Sequence, residues 1–426
     1  MGIGLEGQAG NRQAGIEAQR LGEADGRARE KRDPRFRRGV VLHRIPAPSR
    51  RVRAAAADSP PCRAPSGHGS DPATLPPVQD LPVPPTGLPF DDIRALLREL
   101  PGSDEASRRE AMAREAQLIK PVGALGRLEE IVAHLAAWQH RSPPRISRPL
   151  VAIFAGSHGV AAKGVSAYPS SVNQAMLAGF SNGHAAINQI CKAHDLGLKV
   201  FDLAVEIPTT DFTEGPAMEE AACAATIAFG MEAIANGTDL LCVGEMGIGN
   251  TTVAAAIYAA LYGGPVSQWV GRGTGVDDAG HARKVAAVEA GLERHRNALK
   301  DPLEVLRRLG GREVAAIAGA ILAARIERVP VILDGYVATA AAAVLHALEP
   351  SSIAHCLAGH VASEGAHAEV LKRLGLRPIL DLGLRLGEGS GAALACAIVK
   401  TALACHTGMA TFAEAGVPEK APVLHS

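Results

Sequence analysis

The 426-residue sequence is poor in aromatic residues and has no excess of charge of either sign. Only 3% of its residues are aromatic, so the core must be built mainly from aliphatic side chains. Lys and Arg together number 44, as do Asp and Glu, which gives a formal net charge of zero. A chain without net charge has no general basic field for nucleic acid or an anionic membrane, so any phosphate must be bound by a local site.

Paired cysteine motifs and long apolar runs are missing as well. The seven cysteines are scattered without a CxxC spacing, which argues against a zinc site and against a disulfide framework. We find no uninterrupted apolar run of about 18 residues, the length that a membrane span needs. We therefore expect a cytoplasmic protein with reduced thiols, without a membrane span, a metal or a cofactor.

The first 89 residues differ in composition from the rest of the chain. Twelve arginines lie between Arg12 and Arg53, and twelve of the 28 prolines lie between Pro46 and Pro89. Such a segment has too few periodic apolar positions to offset the entropy of ordering, so we predict that residues 1–89 form a disordered extension. An Arg-rich N-terminus is typical of a targeting peptide, but acidic residues such as Glu6, Glu17 and Asp25 weaken that interpretation, and a non-native extension from an upstream start is the alternative.

The rest of the chain changes from a helical to an alternating pattern. Apolar periodicity predicts helices within residues 90–145, in the stretches DDIRALLREL, DEASRREAMAREAQLIK and GRLEEIVAHLAAWQ. In residues 146–426, predicted strands are 150–154, 198–203, 240–243, 329–333 and 378–382. Predicted helices between them are 219–234, 252–261, 281–294, 313–325 and 337–348. This alternation predicts an α/β fold with a parallel sheet, helices on both faces and ligands at the carboxyl ends of the strands.

Two glycine-rich motifs follow predicted strands. Residues 156–174, GSHGVAAKGVSAYPSSVNQ, offer neutral polar groups suited to the edge of a heterocyclic base, although a surface loop with an incidental His158 also fits. Residues 244–256, GEMGIGNTTVAAA, form a strand, a turn and a helix start, which together favour an anion. The second motif lacks the GK[ST] of a P-loop, and glycines needed only for a tight turn are the alternative.

Two single side chains also suggest chemistry. In GRGTGVDDAGHARK, Lys284 lies one to two turns inside a predicted helix and is expected to reach a phosphate or ribose, unless it belongs to a solvated face. Glu388 lies between Gly387 and Gly389 before an apolar helix, where desolvation is expected to raise its pKa into the range of a general base. A dinucleotide loop is excluded because the acid it requires would fall near Met409, but a carboxylate that only caps the helix remains possible.

These motifs together resemble one family. KPVGALGRLE, HGVAAKGVSAYP, GEMGIGNTT, GRGTGVDDAG, ILDGYVATAAA, DLGLRLGEGSGAALA and MATFAEAGV occur between about Lys120 and Val417. They are similar, in the same order, to the nicotinate-nucleotide–dimethylbenzimidazole phosphoribosyltransferases. The resemblance implies a Rossmann-like large domain, a small helical domain that C-terminal helices complete, and a homodimer. It also implies transfer of ribose 5-phosphate from nicotinate mononucleotide to 5,6-dimethylbenzimidazole in cobalamin biosynthesis, giving α-ribazole 5'-phosphate.

The resemblance also assigns roles to residues. It makes Glu388 the catalytic base and Glu245 a second active-site acid. Residues expected to bind the phosphate and nucleotide are Gly247, Gly249, Asn250, Thr251, Lys284, Arg385 and Gly387. Residues expected to line the base pocket are Ser166, Tyr168, Gln174, Met246 and Leu386.

Two positions depart from the family pattern. Ser157 stands where many members have an acid, so we give it no catalytic role. Residues 360–371, HVASEGAHAEVL, lack a proline common in this motif, which leaves His360, Ser363 and His367 as weaker candidates for the pocket.

The mechanism expected from this resemblance is a single displacement. Glu388 removes the proton from one benzimidazole nitrogen while the other attacks C1' of the ribose, and nicotinate leaves from the opposite face. Glu245 is expected to stabilise the oxocarbenium-like transition state electrostatically. Two alternatives stay open: the same donor with another acceptor, such as adenine, a different benzimidazole or a phenol, and a non-catalytic nucleotide-binding protein.

Overall fold

The computed structural model describes residues 41–44, 87 and 89–418. The strands are β1 (Val41–Arg44), β2 (Pro149–Ala155), β3 (Gly197–Asp202), β4 (Leu240–Met246), β5 (Val331–Leu333), β6 (Cys356–His360) and β7 (Pro378–Leu380). The first helices are α1 (Phe90–Arg98), α2 (Glu105–Gln117), α3 (Arg127–Gln139), α4 (Val172–Ser181), α5 (Ala186–His194), α6 (Glu220–Met231), α7 (Asn250–Tyr262) and α8 (Val266–Trp269). The remaining helices are α9 (Asp278–His295), α10 (Pro302–Leu309), α11 (Arg312–Ile326), α12 (Tyr336–Leu348), α13 (His367–Arg373), α14 (Ser390–Gly408) and α15 (Phe412–Ala415).

The seven strands form one parallel sheet in the order β1-β3-β2-β4-β5-β6-β7. The chain passes from β2 to β3 on one side and then to β4 on the other side of β2. The direction of winding therefore reverses between β2 and β4, and such a switch point opens a crevice at the carboxyl ends of the two strands. Ala155 and Met246, which are paired in the register, mark the floor of this crevice.

Both faces of the sheet are covered by apolar helices, as the sequence predicts. All seven residues of β2 are buried, as expected for a parallel strand packed on both faces. Its alternate side chains pack into two cores: Phe154 faces the core that includes α7, α11 and α12, whereas Ile153 faces the core that includes α3 and α14. The fold is therefore α/β.

Helices α6 and α11 cross with their backbones in close contact. A Cβ atom added at Gly319 would lie 1.9 Å from the carbonyl oxygen of Ile227, and one added at Gly230 would lie 1.9 Å from that of Ala316. Because both clashes are with backbone atoms, the helices must separate to accept a larger residue. The sequence therefore needs glycine at this crossing for packing.

We expect Gly319→Ala to lower the free energy of unfolding by about 1–2 kcal/mol, because overpacking outweighs the gain in helix propensity. Urea unfolding followed by circular dichroism measures this change. Gly179→Ala is the matched control, since Gly179 also lies in a helix but has nothing within 4 Å of an added Cβ. Equal stability of the two variants would contradict the prediction.

All the strands and helices predicted between residues 146 and 426 are present, with ends that differ by a few residues. Two further strands were not predicted. Strand β6, Cys356–His360, was not predicted from the sequence. Val41–Arg44 lie within the extension predicted to be disordered, but they pair with β3 as an edge strand, because β3 offers a free row of backbone groups on that side. The other residues of the extension predicted to be disordered, residues 1–89, lie outside the described residues except for residues 87 and 89.

Helix α14 is long and apolar enough to cross a membrane by length and composition alone. It packs against β4, β6, α3 and α5, and the ammonium of its Lys400 donates a hydrogen bond to the carbonyl of His194 (2.6 Å). These contacts are those of a core helix. Its C-terminal end meets α2, where Glu115 accepts a hydrogen bond from His406 (2.7 Å) and Leu118 forms a bridge with Thr411.

Candidate active site

Loops from several strands meet at the carboxyl end of β4. Residues 381–389 follow β7 at the edge of the sheet but run back to its centre, where the Glu388 amide donates to the Glu245 carbonyl (3.1 Å). The Gly389 amide donates to the carboxylate of Asp334, just after β5 (3.1 Å). The Gly156 amide, just after β2, donates to the Met246 carbonyl (2.9 Å). The structure thus brings the RLGEG and GEMGIGN motifs together.

Glu388 is held in a conformation that side chains rarely adopt. Its φ is +61°, and Gly387 and Gly389 on either side also have positive φ. The side chain is only 6% exposed, and burial, followed by repulsion from Asp334, raises its pKa to about 7. A carboxylate with this pKa is suited to accept a proton near neutral pH.

Glu245 lies beside Glu388 at the end of β4. Its carboxylate accepts a hydrogen bond from the side-chain amide of Asn250, and one oxygen lies directly against Gly387. Burial raises the pKa of Glu245 well above its ordinary value, and Asp334, Glu313 and Glu388 raise it further. This shift favours the neutral acid more than in an exposed glutamate, so a hydrogen-bonding role for Glu245 stands beside the predicted electrostatic one.

The predicted phosphate motif has the geometry of an anion site. Gly247 and Gly249 form the turn after β4, and α7 begins at Asn250 and runs for 13 residues. The positive end of its dipole therefore points at this turn. The Thr251 hydroxyl accepts a hydrogen bond from the ammonium of Lys284 (3.0 Å), which places a cation next to the same helix start.

Lys284 is a buried side chain and not part of a solvated face. It is 1% exposed, its ammonium donates to the Gly271 carbonyl (2.7 Å), and burial lowers its pKa to about 8. Glu364 lies 3.9 Å away and accepts a hydrogen bond from the Gly273 amide (3.1 Å). Gly273 has a φ of +52°, which side chains rarely adopt, and a Cβ there would lie 2.9 Å from the Lys284 ammonium, so the GRGTG loop favours glycine at this position.

The residues predicted to bind the base are more exposed. Tyr168 and Leu386 are 56% and 55% exposed, and Met246 is half-buried. The Ser166 hydroxyl contacts that of Thr274 (3.2 Å), and the Arg385 guanidinium donates to the Gly273 carbonyl (3.3 Å). Both loops thus meet the GRGTG loop and border the crevice. Gln174 is exposed on α4, and among the described residues no contact joins it to this group.

His158 does not present its ring to a surface loop. The ring nitrogen Nε2 lies 2.9 Å from the carboxylate of Glu313, and both side chains are fully buried. The pair contacts the turn that includes Gly247 and Gly249, which we call the phosphate turn. A Cβ atom added at Gly247 would lie only 3.0 Å from that ring nitrogen. The neighbouring Ser157 donates to the Val205 carbonyl (2.5 Å) and accepts a hydrogen bond from the side-chain amide of Asn173 (2.7 Å).

The three weaker candidates for the pocket, His360, Ser363 and His367, contact the loops that form the site. His367 accepts a hydrogen bond from the Ala362 amide (2.8 Å), contacts the Thr339 hydroxyl (3.0 Å) and has a pKa lowered by burial to about 3. His360 lies 3.5 Å from Asp334, and the Ser363 amide binds the loop that carries Glu388. These residues therefore shape the loops.

Sequence reasoning missed three buried acids that organise the site: Glu313, Asp334 and Glu364. Asp334 lies in the quoted ILDGY motif directly after a predicted strand, which is a signal that could have identified it. Among the described residues, no group of three or more His, Cys, Asp or Glu side chains is arranged to bind a metal.

Comparisons with known proteins identify the family. A family model described as phosphoribosyltransferase matches residues 100–417. The nicotinate-nucleotide–dimethylbenzimidazole phosphoribosyltransferase of Methylocella silvestris is 65% identical over 332 residues, which are 78% of this chain and 97% of that protein. The protein of the same name from Sinorhizobium medicae is 64% identical over 335 residues, 79% of this chain and 99% of that one.

The crystal structure of CobT from Thermus thermophilus is similar in fold. It superposes with a TM-score of 0.70 at 43% identity, over 74% of this chain and 100% of that chain. The residues matched by the family model, 100–417, include strands β2 to β7 and the loops that form the site described above. The chain therefore belongs to the family of nicotinate-nucleotide–dimethylbenzimidazole phosphoribosyltransferases.

Proposed function

We propose that this protein transfers ribose 5-phosphate from nicotinate mononucleotide to 5,6-dimethylbenzimidazole, releasing nicotinate and α-ribazole 5'-phosphate for the nucleotide loop of cobalamin. The relatives at 64–65% identity carry the name of this activity. The observation that carries the proposal is Glu388, a buried carboxylate with a pKa of about 7 in contact with the strand that leads into the phosphate turn.

The 5'-phosphate binds at the start of α7. The turn that includes Gly247 and Gly249 points the positive end of the helix dipole at it, and Asn250 and Thr251 begin the helix. Lys284 approaches from α9 and supplies a cation, since its ammonium already contacts Thr251. Binding at this end fixes the ribose so that C1' faces Glu388.

Glu388 acts as the general base. It accepts the proton from one nitrogen of dimethylbenzimidazole while the other nitrogen forms the bond to C1', and the bond from C1' to nicotinate breaks. The electron pair of that bond returns to the pyridinium nitrogen, which becomes neutral, so no metal is needed. Attack opposite the leaving group converts the β-glycoside into the α-product. Glu245, as a neutral acid, contributes a hydrogen bond near the reacting centre instead of a charge.

Incubation with both substrates tests the proposal directly. Liquid chromatography with mass detection should show equal amounts of nicotinate and α-ribazole 5'-phosphate. Competition between dimethylbenzimidazole and adenine, unsubstituted benzimidazole or a phenol identifies the preferred acceptor. This comparison is needed because Tyr168 and Leu386, which are expected to bind the base, are exposed. Binding of nicotinate mononucleotide without any release of nicotinate would favour the non-catalytic alternative.

We expect kcat/KM to depend on pH as a narrow bell. The pKa of Glu388 is raised to about 7, and the base must be ionised, so activity falls about tenfold per unit below that pH. The pKa of Lys284 is lowered to about 8, and the lysine must be protonated to bind phosphate, so activity also falls above that pH. Initial rates between pH 5 and 10 test this, and a constant kcat/KM from pH 5 to 7 would contradict it.

We further propose a cytoplasmic homodimer in which residues 90–145, with the C-terminal helices, contribute to a small domain, while α3 and α14 also pack against the sheet. Large apolar side chains lie exposed in that region: Val122 is 78% exposed, Val417 45% and Ile119 41%. Such side chains are typical of an interface that another chain covers. Analytical ultracentrifugation of the full chain tests the oligomeric state, and a monomer at micromolar concentration would contradict it.

A further inference from the structure

Asp334 connects the centre of the sheet to the loop that carries Glu388. It follows β5 directly and is fully buried. Its carboxylate accepts hydrogen bonds from the backbone amides of Gly389 (3.1 Å) and Ala392 (2.9 Å), in the first turn of α14. A carboxylate in this position satisfies amides that have no partner inside the helix, and it interacts favourably with the helix dipole.

We propose that Asp334 is a positioning residue for the transfer reaction, which holds the start of α14 so that Glu388 faces the substrate and which keeps a negative charge beside it. The inference rests on the proposed function. Asp334 itself does not touch the reacting atoms; it acts through the backbone of Gly389 and through its charge.

The backbone conformation of Glu388 shows why hydrogen bonds must hold this loop in place. A non-glycine residue at φ +61° is strained, and strain of this kind persists only where the surroundings fix the conformation. On one side the Glu388 amide is bound to the carbonyl of Glu245 (3.1 Å). On the other side Asp334 binds the next amide along the chain. Without Asp334, the loop keeps only one of these two attachments to the sheet.

The charges around Glu388 come from several elements. Asp334 faces it from the end of β5 and Glu245 from the end of β4, while Arg385 on its own loop is turned toward the carbonyl of Gly273. Asp334 is in turn faced by His360 from β6, 3.5 Å away. After burial, the Asp334 charge is what raises the pKa of Glu388. Removal of this charge must therefore lower that pKa and leave the base ionised at more acidic pH.

The experiment compares Asp334→Asn with Asp104→Asn in the full-length protein. Asp104 is a matched control, because its carboxylate also accepts two backbone amides at a helix start, those of Ala106 (3.0 Å) and Ser107 (3.1 Å), and its charge is not among the causes that raise the pKa of Glu388. For Asp334→Asn, we expect the acidic midpoint of kcat/KM to move to lower pH and kcat to fall about 10- to 10²-fold through misplacement of the base. KM for nicotinate mononucleotide should change by less than about twofold, because the phosphate turn is untouched.

The control is expected to keep the wild-type pH profile, and substrate ionisation contributes equally to all variants. An unchanged acidic midpoint in Asp334→Asn, or losses equal to those of Asp104→Asn, would overturn the inference. If Asp334→Asn does not fold, Asp334→Ser provides another neutral helix cap with the same expected shift. An inactive wild-type enzyme in the same assay refutes the proposed function itself, whereas an active wild type with unaltered Asp334 variants refutes only the positioning role.

Discussion

Replacement of Glu388 by glutamine is expected to slow formation of α-ribazole 5'-phosphate by about 10²- to 10⁴-fold, the range for loss of a general base. Glutamine has the same shape and accepts the same backbone conformation, but its amide cannot take up the benzimidazole proton. Since Glu388 is 6% exposed, bulk water has little access to replace it. The loss should therefore appear in kcat, while the affinity for nicotinate mononucleotide, measured by calorimetry, stays within about threefold.

Glu245→Gln is the matched control for this experiment. Burial and three neighbouring carboxylates already favour the neutral form of Glu245, so an amide replaces one neutral hydrogen-bonding group by another. We expect a loss of less than about tenfold in kcat. Near-wild-type turnover by Glu388→Gln would exclude Glu388 as the base. A loss of kcat in Glu245→Gln greater than about tenfold would mean that Glu245 works as an anion.

The strands and helices of the sheet could be predicted where the sequence has a clear apolar pattern. Strand β4 begins with a continuous apolar run, LLCV, and the Ala-rich α11 is apolar all round between Val314 and Ala324, as expected of elements buried on both sides. Strand β6 has no such signal, because CLAGH contains a glycine, a histidine and no β-branched residue. Its strand conformation comes from pairing with β5 and β7, which only the folded sheet provides.

Local chemistry at the site was predictable, but the partners across the fold were not. Glu388 and Lys284 stand in glycine-rich turns with recognisable patterns. The neighbours that determine their pKa values and orientations come from distant parts of the chain. His158 was expected to face a base or solvent, but it is buried against Glu313, which lies more than a hundred residues further on, so no local pattern reports the contact. Only the folded arrangement of the strands and helices brings His158 and Glu313 together.

Replacement of Lys284 by methionine is expected to lower kcat/KM for nicotinate mononucleotide by about 10- to 10²-fold. A charge-assisted hydrogen bond in a protein is worth about 1.5–3 kcal/mol, and about 1.4 kcal/mol corresponds to a factor of ten. Methionine fills nearly the same volume in this buried position but offers no cation to the phosphate beside Thr251. Because phosphate binding is shared by ground and transition states, most of the loss should appear in KM.

Lys199→Met is the control for loss of a partly buried lysine. Burial also lowers the pKa of Lys199, but its ammonium donates to the Ala233 carbonyl (3.4 Å), away from the carboxyl ends of the strands. We expect this variant to keep the wild-type kcat/KM within about twofold. Lys284→Arg should not restore activity, because a guanidinium is wider than an ammonium and little space surrounds the Lys284 ammonium beside Gly273 and Thr251. Equal kinetics of Lys284→Met and Lys199→Met would remove Lys284 from the phosphate site and leave the dipole of α7 as its source of positive charge.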